Sequence, residues 1–399
     1  MSKYLNICNG YILLWCLYSL QGILYSSGSI ISQSILMIAL CISLLYFTYA
    51  NIKYYLSPFI KTLNVFIAVL TIYGIIMMLD GQEYFIRESY IYISKTDYLK
   101  TIYSSLLPIY AFYVFTKQGL LSQSTIRVWL LIFIIITTTE YWAGHYRQLQ
   151  EAAENMIVRE DFTNNIGYSF VALIPLLFFY NNKKLIQFTL LLYIMIYIIM
   201  SLKRGAILVG IIVFIWFLYR VFKTSSKRTK VWVSIMTIVA MIITCQQILD
   251  MYHNNDYFQY RLEQTLEGES SGRDVLYDAL LTHFIYDTSI GEFLLGMGAN
   301  GTLKVTDNFA HNDWLEIVTN QGLFGLVLFI IFWITLFKEW RNAKQLPIIY
   351  SALGAIFMIC FLRTFFSMSY NDMPLCLTMC LGYCLANNIL KNVNIKLRP

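Results

Sequence analysis

Apolar runs close to twenty residues long recur along the whole chain, and no other feature narrows its possible folds so far. They lie near 11–25, 30–50, 59–79, 99–115, 126–143, 166–180, 185–200, 205–222, 231–249, 314–337, 348–366 and 373–390. A helix of about 20 apolar residues matches the ~30 Å hydrocarbon core of a bilayer. The runs are continuously apolar and do not alternate, which excludes a transmembrane barrel. Only 13% of residues are charged, against roughly 25% in soluble domains. The expected fold class is therefore an all-α polytopic membrane protein with about twelve transmembrane helices. The expected division is 1–249 for helices 1 to 9, 250–312 for one large outward loop with short helices, and 313–399 for helices 10 to 12. Together these form a single integral-membrane domain. The first run has no small-residue cleavage site behind it and is read as a retained span.

Lysine and arginine in the short loops set the orientation. Lys53 and Lys61, Lys117 and Arg127, Lys183 and Lys184, Arg220 with the run KTSSKRTK, and Lys338, Arg341 and Lys344 fall on one side. With twelve spans both termini join them, and that side is the cytoplasmic one. The loop at 250–312 then faces outward, away from nucleotides.

That placement prunes the chemistry. There is no G-x-x-x-x-G-K-[ST] phosphate loop. Gly296-Met297-Gly298-Ala299-Asn300-Gly301 matches G-x-G-x-x-G but lacks the strand–turn–helix context of a dinucleotide site, and is read as a turn that reverses the chain. No H-E-x-x-H arrangement supports a metal, and no cofactor or nucleic-acid partner is expected. Cys376, Cys380 and Cys384 are four apart on one helix face, as small residues at a helix–helix contact are.

What remains is a set of charged groups on the outward side. Lys203 and Arg204 run against the positive-inside trend, which suggests an anionic partner; snorkelling at a helix end is the alternative. Arg273 opens SGRDVLYDALL, whose apolar spacing reads as a short helix; an ion pair with Asp274 or Glu269 is its alternative role. Arg261 lies in the same loop. The loop is acidic overall, so individual arginines would have to hold any anion, in bidentate geometry suited to phosphate. His311 sits where the tenth run begins and can exchange protons near neutral pH. Asp313 and Glu316 are close enough in sequence to orient it, and backbone capping is its alternative. Arg363 lies inside the eleventh run, an expensive position, with Asp372 as a partner across the turn.

At these residues the chain resembles the O-antigen polymerase and O-antigen ligase superfamily of bacterial envelopes. The resemblance lies in S-x-x-R-G at Arg204, S-G-R at Arg273 and L-x-G-x-G at Gly296 and Gly298. The His311-Asn312 pair running into N-x-G-x-x-G at Asn320, Gly322 and Gly325 extends it. It covers roughly residues 165–337, together with the plan of about twelve spans and one large loop. Lys203 departs from the pattern, which often has a small polar residue there.

The resemblance implies a metal-independent glycosyltransferase of the bacterial inner membrane, working at its periplasmic face. Its donor is a glycan on undecaprenyl diphosphate. In a polymerase the acceptor is another lipid-linked repeat unit; in a ligase it is the lipid A core. By analogy His311, Arg204 and Arg273 are catalytic, while Lys203, Arg363, Arg261, Asn312 and Asp313 bind substrate. Tyr257, Phe258, Tyr260, Tyr277 and Trp314 are candidates for stacking on sugars. The bilayer is a partner, and the pathway's chain-length regulator and flippase are candidate partners. A compact loop without a marked basic patch favours the polymerase. A lipid-linked oligosaccharide transporter is the competing class, although such carriers place charge at the bilayer midplane, commonly with internal repeats.

Overall fold

The computed structural model describes residues 6–86, 91–146, 165–254, 259, 263 and 272–396. In chain order the first helices are α1 (Ile7–Ser19), α2 (Ile30–Lys53) and α3 (Pro58–Leu79), then a hairpin of β1 (Tyr84–Ile86) and β2 (Ile91–Ile93). There follow α4 (Asp97–Leu106), α5 (Pro108–Lys117), α6 (Gln123–Glu140) with a π-helical turn Tyr141–Tyr146, α7 (Ile166–Val171) and α8 (Ile174–Leu177). Next come α9 (Lys184–Met200), α10 (Arg204–Thr224) and α11 (Lys227–Asn254). The remainder is α12 (Arg273–Thr282), α13 (Ile290–Leu295), α14 (Thr302–Thr306), α15 (Asp313–Asn342), α16 (Pro347–Arg363) and α17 (Leu375–Lys396).

The expectation of a helical membrane protein holds, with two corrections. Among the described residues five helices are long and apolar enough to cross a membrane: Ile30–Lys53, Pro58–Leu79, Gln123–Gly144, Arg204–Thr224 and Asp313–Gln345. Every other expected run also meets helix, but several are short or broken. Helix α1 has 13 residues, a rise of ~20 Å at 1.5 Å per residue. The run expected at 99–115 is cut at Leu107, because Pro108 has no N–H to continue the ladder of α4. The run at 166–180 is cut in the same way before Pro175. The second correction is the antiparallel β1–β2 hairpin, which pairs Tyr84 with Ile93 and Ile86 with Ile91. Period-two alternation puts Ile86 and Ile93 on one face, where they pack with Leu303, Tyr84 and Phe309.

The chain divides into two units, residues 1–122 with 273–399 and residues 123–272. The boundary at Gly272 falls inside the expected 250–312 loop. In the first unit α5 is buried throughout from Pro108 to Phe115 and packs against α17 and α2. Gly382 permits this approach, since a Cβ there would fall 2.6 Å from the Ile109 carbonyl oxygen. Cys376, Cys380 and Cys384 are buried as well. Helix α15 packs on α3 through Phe59 and Phe66 against Phe332, at 5.1 and 5.5 Å between ring centroids. In lipid such close packing, not water exclusion, holds helices together, and each aromatic pair adds roughly 0.5–1.5 kcal/mol.

In the second unit α9 packs against α7, α10 and α11. Arg127 Nε donates to the Phe179 carbonyl at 2.7 Å, and the Tyr180 hydroxyl returns a bond to the Arg127 carbonyl at 2.8 Å. The Tyr141 hydroxyl donates to the Met200 carbonyl at 3.3 Å, beside a stacked Phe170–Tyr197 pair.

Candidate functional site

Three of the candidate elements in the first unit meet one connector, the stretch from Thr364 to Met373 that follows α16. Arg273, the first residue of α12, donates from Nη1 to the Phe366 carbonyl at 3.2 Å. Arg363, 4% exposed, donates from Nη1 to the Asp372 carbonyl at 2.7 Å and pairs through Nη2 with its carboxylate. This is the partner expected from sequence. The start of α15 holds the connector at a third place. Asp313 N donates to the Thr364 carbonyl at 2.8 Å, Trp314 Nε1 donates to Thr364 Oγ1 at 2.9 Å, and the Asp313 carboxylate accepts from Ser369 N at 3.0 Å and from the Ser369 hydroxyl.

His311 sits in a turn pinned on both sides. Just before it, the Ala310 N–H donates to Glu316 Oε1 at 2.6 Å. Just after it, Asn312 caps α15, its Oδ1 accepting from Trp314 N at 2.9 Å and Leu315 N at 3.3 Å. Both carboxylates expected to orient His311 are fully buried at 0% exposure. They bond to the frame that carries it: Glu316 Oε2 accepts from Thr302 Oγ1 at 2.9 Å and from Asn320 Nδ2 at 3.1 Å. The consequence is backbone strain, since His311 is held at φ 51°, in the left-handed region. A side chain with a Cβ loses roughly 1–2 kcal/mol there, and such outliers persist only where the surroundings impose them.

The glycine turn docks on a kink in α15. Gly322 breaks that helix with φ 63°, freeing carbonyls that the turn then fills. Met297 N donates to the Thr319 carbonyl at 2.9 Å and Gly298 N donates to the Asn320 carbonyl at 3.0 Å. Gly296, at φ 78°, lies so close that a Cβ would strike the Asn320 and Gln321 backbone. The G-x-G-x-x-G match is thus a backbone latch. Asn320 Oδ1 also accepts from Thr302 N at 3.1 Å, joining latch and Glu316 network.

The second unit carries Lys203 and Arg204. Arg204 is the first residue of α10, Lys203 is its N-cap, and Leu202 before them has φ 55°. Ser201 is buried, donating to the Ile198 carbonyl at 2.7 Å. A Cβ on Gly167 would collide with Ser201 and Ala206, so the arginine segment is packed tightly on α7. Two cations at a helix N-terminus oppose the positive end of its dipole, an arrangement that favours a bound anion.

Arg261 lies outside the described residues, as do Glu269, Tyr257, Phe258 and Tyr260. Asp313, expected to bind substrate, has its carboxylate buried on Ser369, and Asn312 is occupied as a cap. Trp314, expected to stack on sugar, is bonded to Thr364 and stacked on Phe365 at 5.9 Å. Sequence reasoning passed over Thr364, Ser369, Thr302 and Asn320. Only Asn320 carried a signal, as the head of N-x-G-x-x-G. Among the described residues no group of three His, Cys, Asp or Glu side chains is placed to hold a metal.

Long apolar helices, one of them headed by a polar, strained turn, define a helical membrane protein. Residues 188–330 match the family model described as O-antigen ligase, so that segment is similar to the O-antigen ligase superfamily. That segment contains Lys203, Arg204, Arg273 and His311. No curated protein matches the chain.

Proposed function

We propose that the chain transfers a glycan from undecaprenyl diphosphate to the end of another lipid-linked repeat unit, at the periplasmic face of a bacterial inner membrane. The family match supports glycan transfer of the ligase or polymerase kind. The observation that carries the site assignment is His311, strained at φ 51° on a turn braced by Glu316, Asn312 and Asp313. A fold keeps such strain where it presents a side chain for work.

In this reading His311 takes the proton from the acceptor hydroxyl as that oxygen attacks the sugar's anomeric carbon. The bond from that carbon to the diphosphate oxygen breaks, and its electron pair leaves on the diphosphate. Arg273 stabilises the charge that develops there. Arg363 holds the connector in place through Asp372.

The test is a strain lacking the gene, complemented with His311→Ala or Arg273→Ala. Loss of long-chain polysaccharide in both, with single-repeat glycan at the surface, is the expected result. Normal chain length from both variants would overturn the assignment. Accumulation of lipid-linked polymer that is never attached would instead identify the ligase, with lipid A core as acceptor.

A further inference from the structure

Between Asp161 and Asp250 the sequence has no carboxylate, yet it holds nine lysines and arginines. Seven of these, Lys183, Lys184, Arg220, Lys223, Lys227, Arg228 and Lys230, belong to one end of a packed trio of helices. Helix α9 begins there at Lys184, α10 ends there at Thr224, and α11 begins there at Lys227. Short connections make the three antiparallel, and α9 packs on both others. No carboxylate of this stretch is available to neutralise that end.

A cavity of about 390 Å³ opens between α9 and α11 at this end. Lys184 and Thr229 form its polar rim, and Leu185, Phe188, Trp232 and Met236 line its walls. The Lys184 ammonium is steered by Asn181, to whose Oδ1 it donates at 2.5 Å. Trp232 is 59% exposed, as an indole at the bilayer's interfacial depth would be. Apolar walls of this kind do not suit a free hydrated anion, and a neutral tail alone does not explain Lys184 at the rim or the positive charge at this end of the trio.

We propose that this cavity binds an anionic phospholipid of the surrounding bilayer. Its phosphodiester is held by Lys184 and Thr229, and one acyl chain lies against Leu185, Phe188, Trp232 and Met236. Basic pockets between helices at an interface recognise anionic headgroups in this way.

The experiment uses the full chain in nanodiscs of equal phosphatidylglycerol and phosphatidylcholine, with retained lipid read by native mass spectrometry. Phosphatidylglycerol is expected to be retained in excess over its bulk share. Lys184→Gln should lower that excess by about fivefold, the effect of one interfacial cation. Met236→Trp, which fills the cavity, should remove bound lipid of either headgroup. Lys304→Gln, remote in sequence, should change nothing. Retention at the bulk ratio in the wild type, an unchanged excess in Lys184→Gln, or displacement by millimolar inorganic phosphate would each overturn the proposal.

Discussion

The Asp313 carboxylate accepts both the backbone N–H and the hydroxyl of Ser369, across 56 residues of sequence. This clamp ties the head of α15 to the connector that Arg273 and Arg363 also grip, and it sets where His311 stands.

Asp313→Ala should therefore strip a buried donor pair of its acceptor. Stability should fall by about 1–3 kcal/mol, read as a lower melting temperature in detergent by tryptophan fluorescence. Asp313→Asn keeps an acceptor oxygen and should lose less. Equal melting temperatures for Ala variant and wild type would remove the clamp from the account.

His311→Gly should separate stability from function. Glycine relieves the left-handed backbone at position 311, worth roughly 1 kcal/mol or more, yet it removes the imidazole. The variant should melt no lower than His311→Ala while making no long-chain polysaccharide. Retained polymer in the glycine variant would show that the side chain does no chemistry.

Gly296→Ala and Gly322→Ala should each open the latch. A Cβ on Gly322 would fall 2.5 Å from the Leu294 carbonyl carbon, and both residues have positive φ. A cost of about 1–3 kcal/mol per strained residue follows. The expected sign is faster proteolysis within residues 290–306, with Gly291→Ala, which meets open space or ordinary contact, as an unaffected control.

The first turn of α13 should loosen in acid. The Glu292 carboxyl is held below its usual range by the Ser289 N–H and then by the Ser289 hydroxyl, within a capping box. A depressed pKa adds stability that is present above the unfolded value, about 4.3, and is lost as pH falls through the folded one. Amide exchange at Ser289 and Glu292, corrected for intrinsic rates, should rise in that window in the wild type and stay flat in Glu292→Gln. Glutamine serves the box without titrating, so identical pH profiles would refute the linkage.

The sequence by itself determined the solvent of this protein and the order of its chemistry. Apolar runs are a local property, and so is the start of a helix at Arg204, Arg273 or Asp313. Arg363 inside an apolar run signalled the need for a partner, and Asp372 was near enough in sequence to be it. Pro108 and Pro175 were legible breaks as well, although run length alone concealed them. Tertiary structure decided the rest. Nothing in the string marks Ser369, Thr364 or Thr302, because an acceptor such as Asp313 or Glu316 acquires its donors only when distant backbone is packed beside it. The left-handed turn at His311 is likewise imposed from outside, through Glu316 on one flank and Thr364 on the other. Local preference alone would have put a histidine elsewhere in φ and ψ.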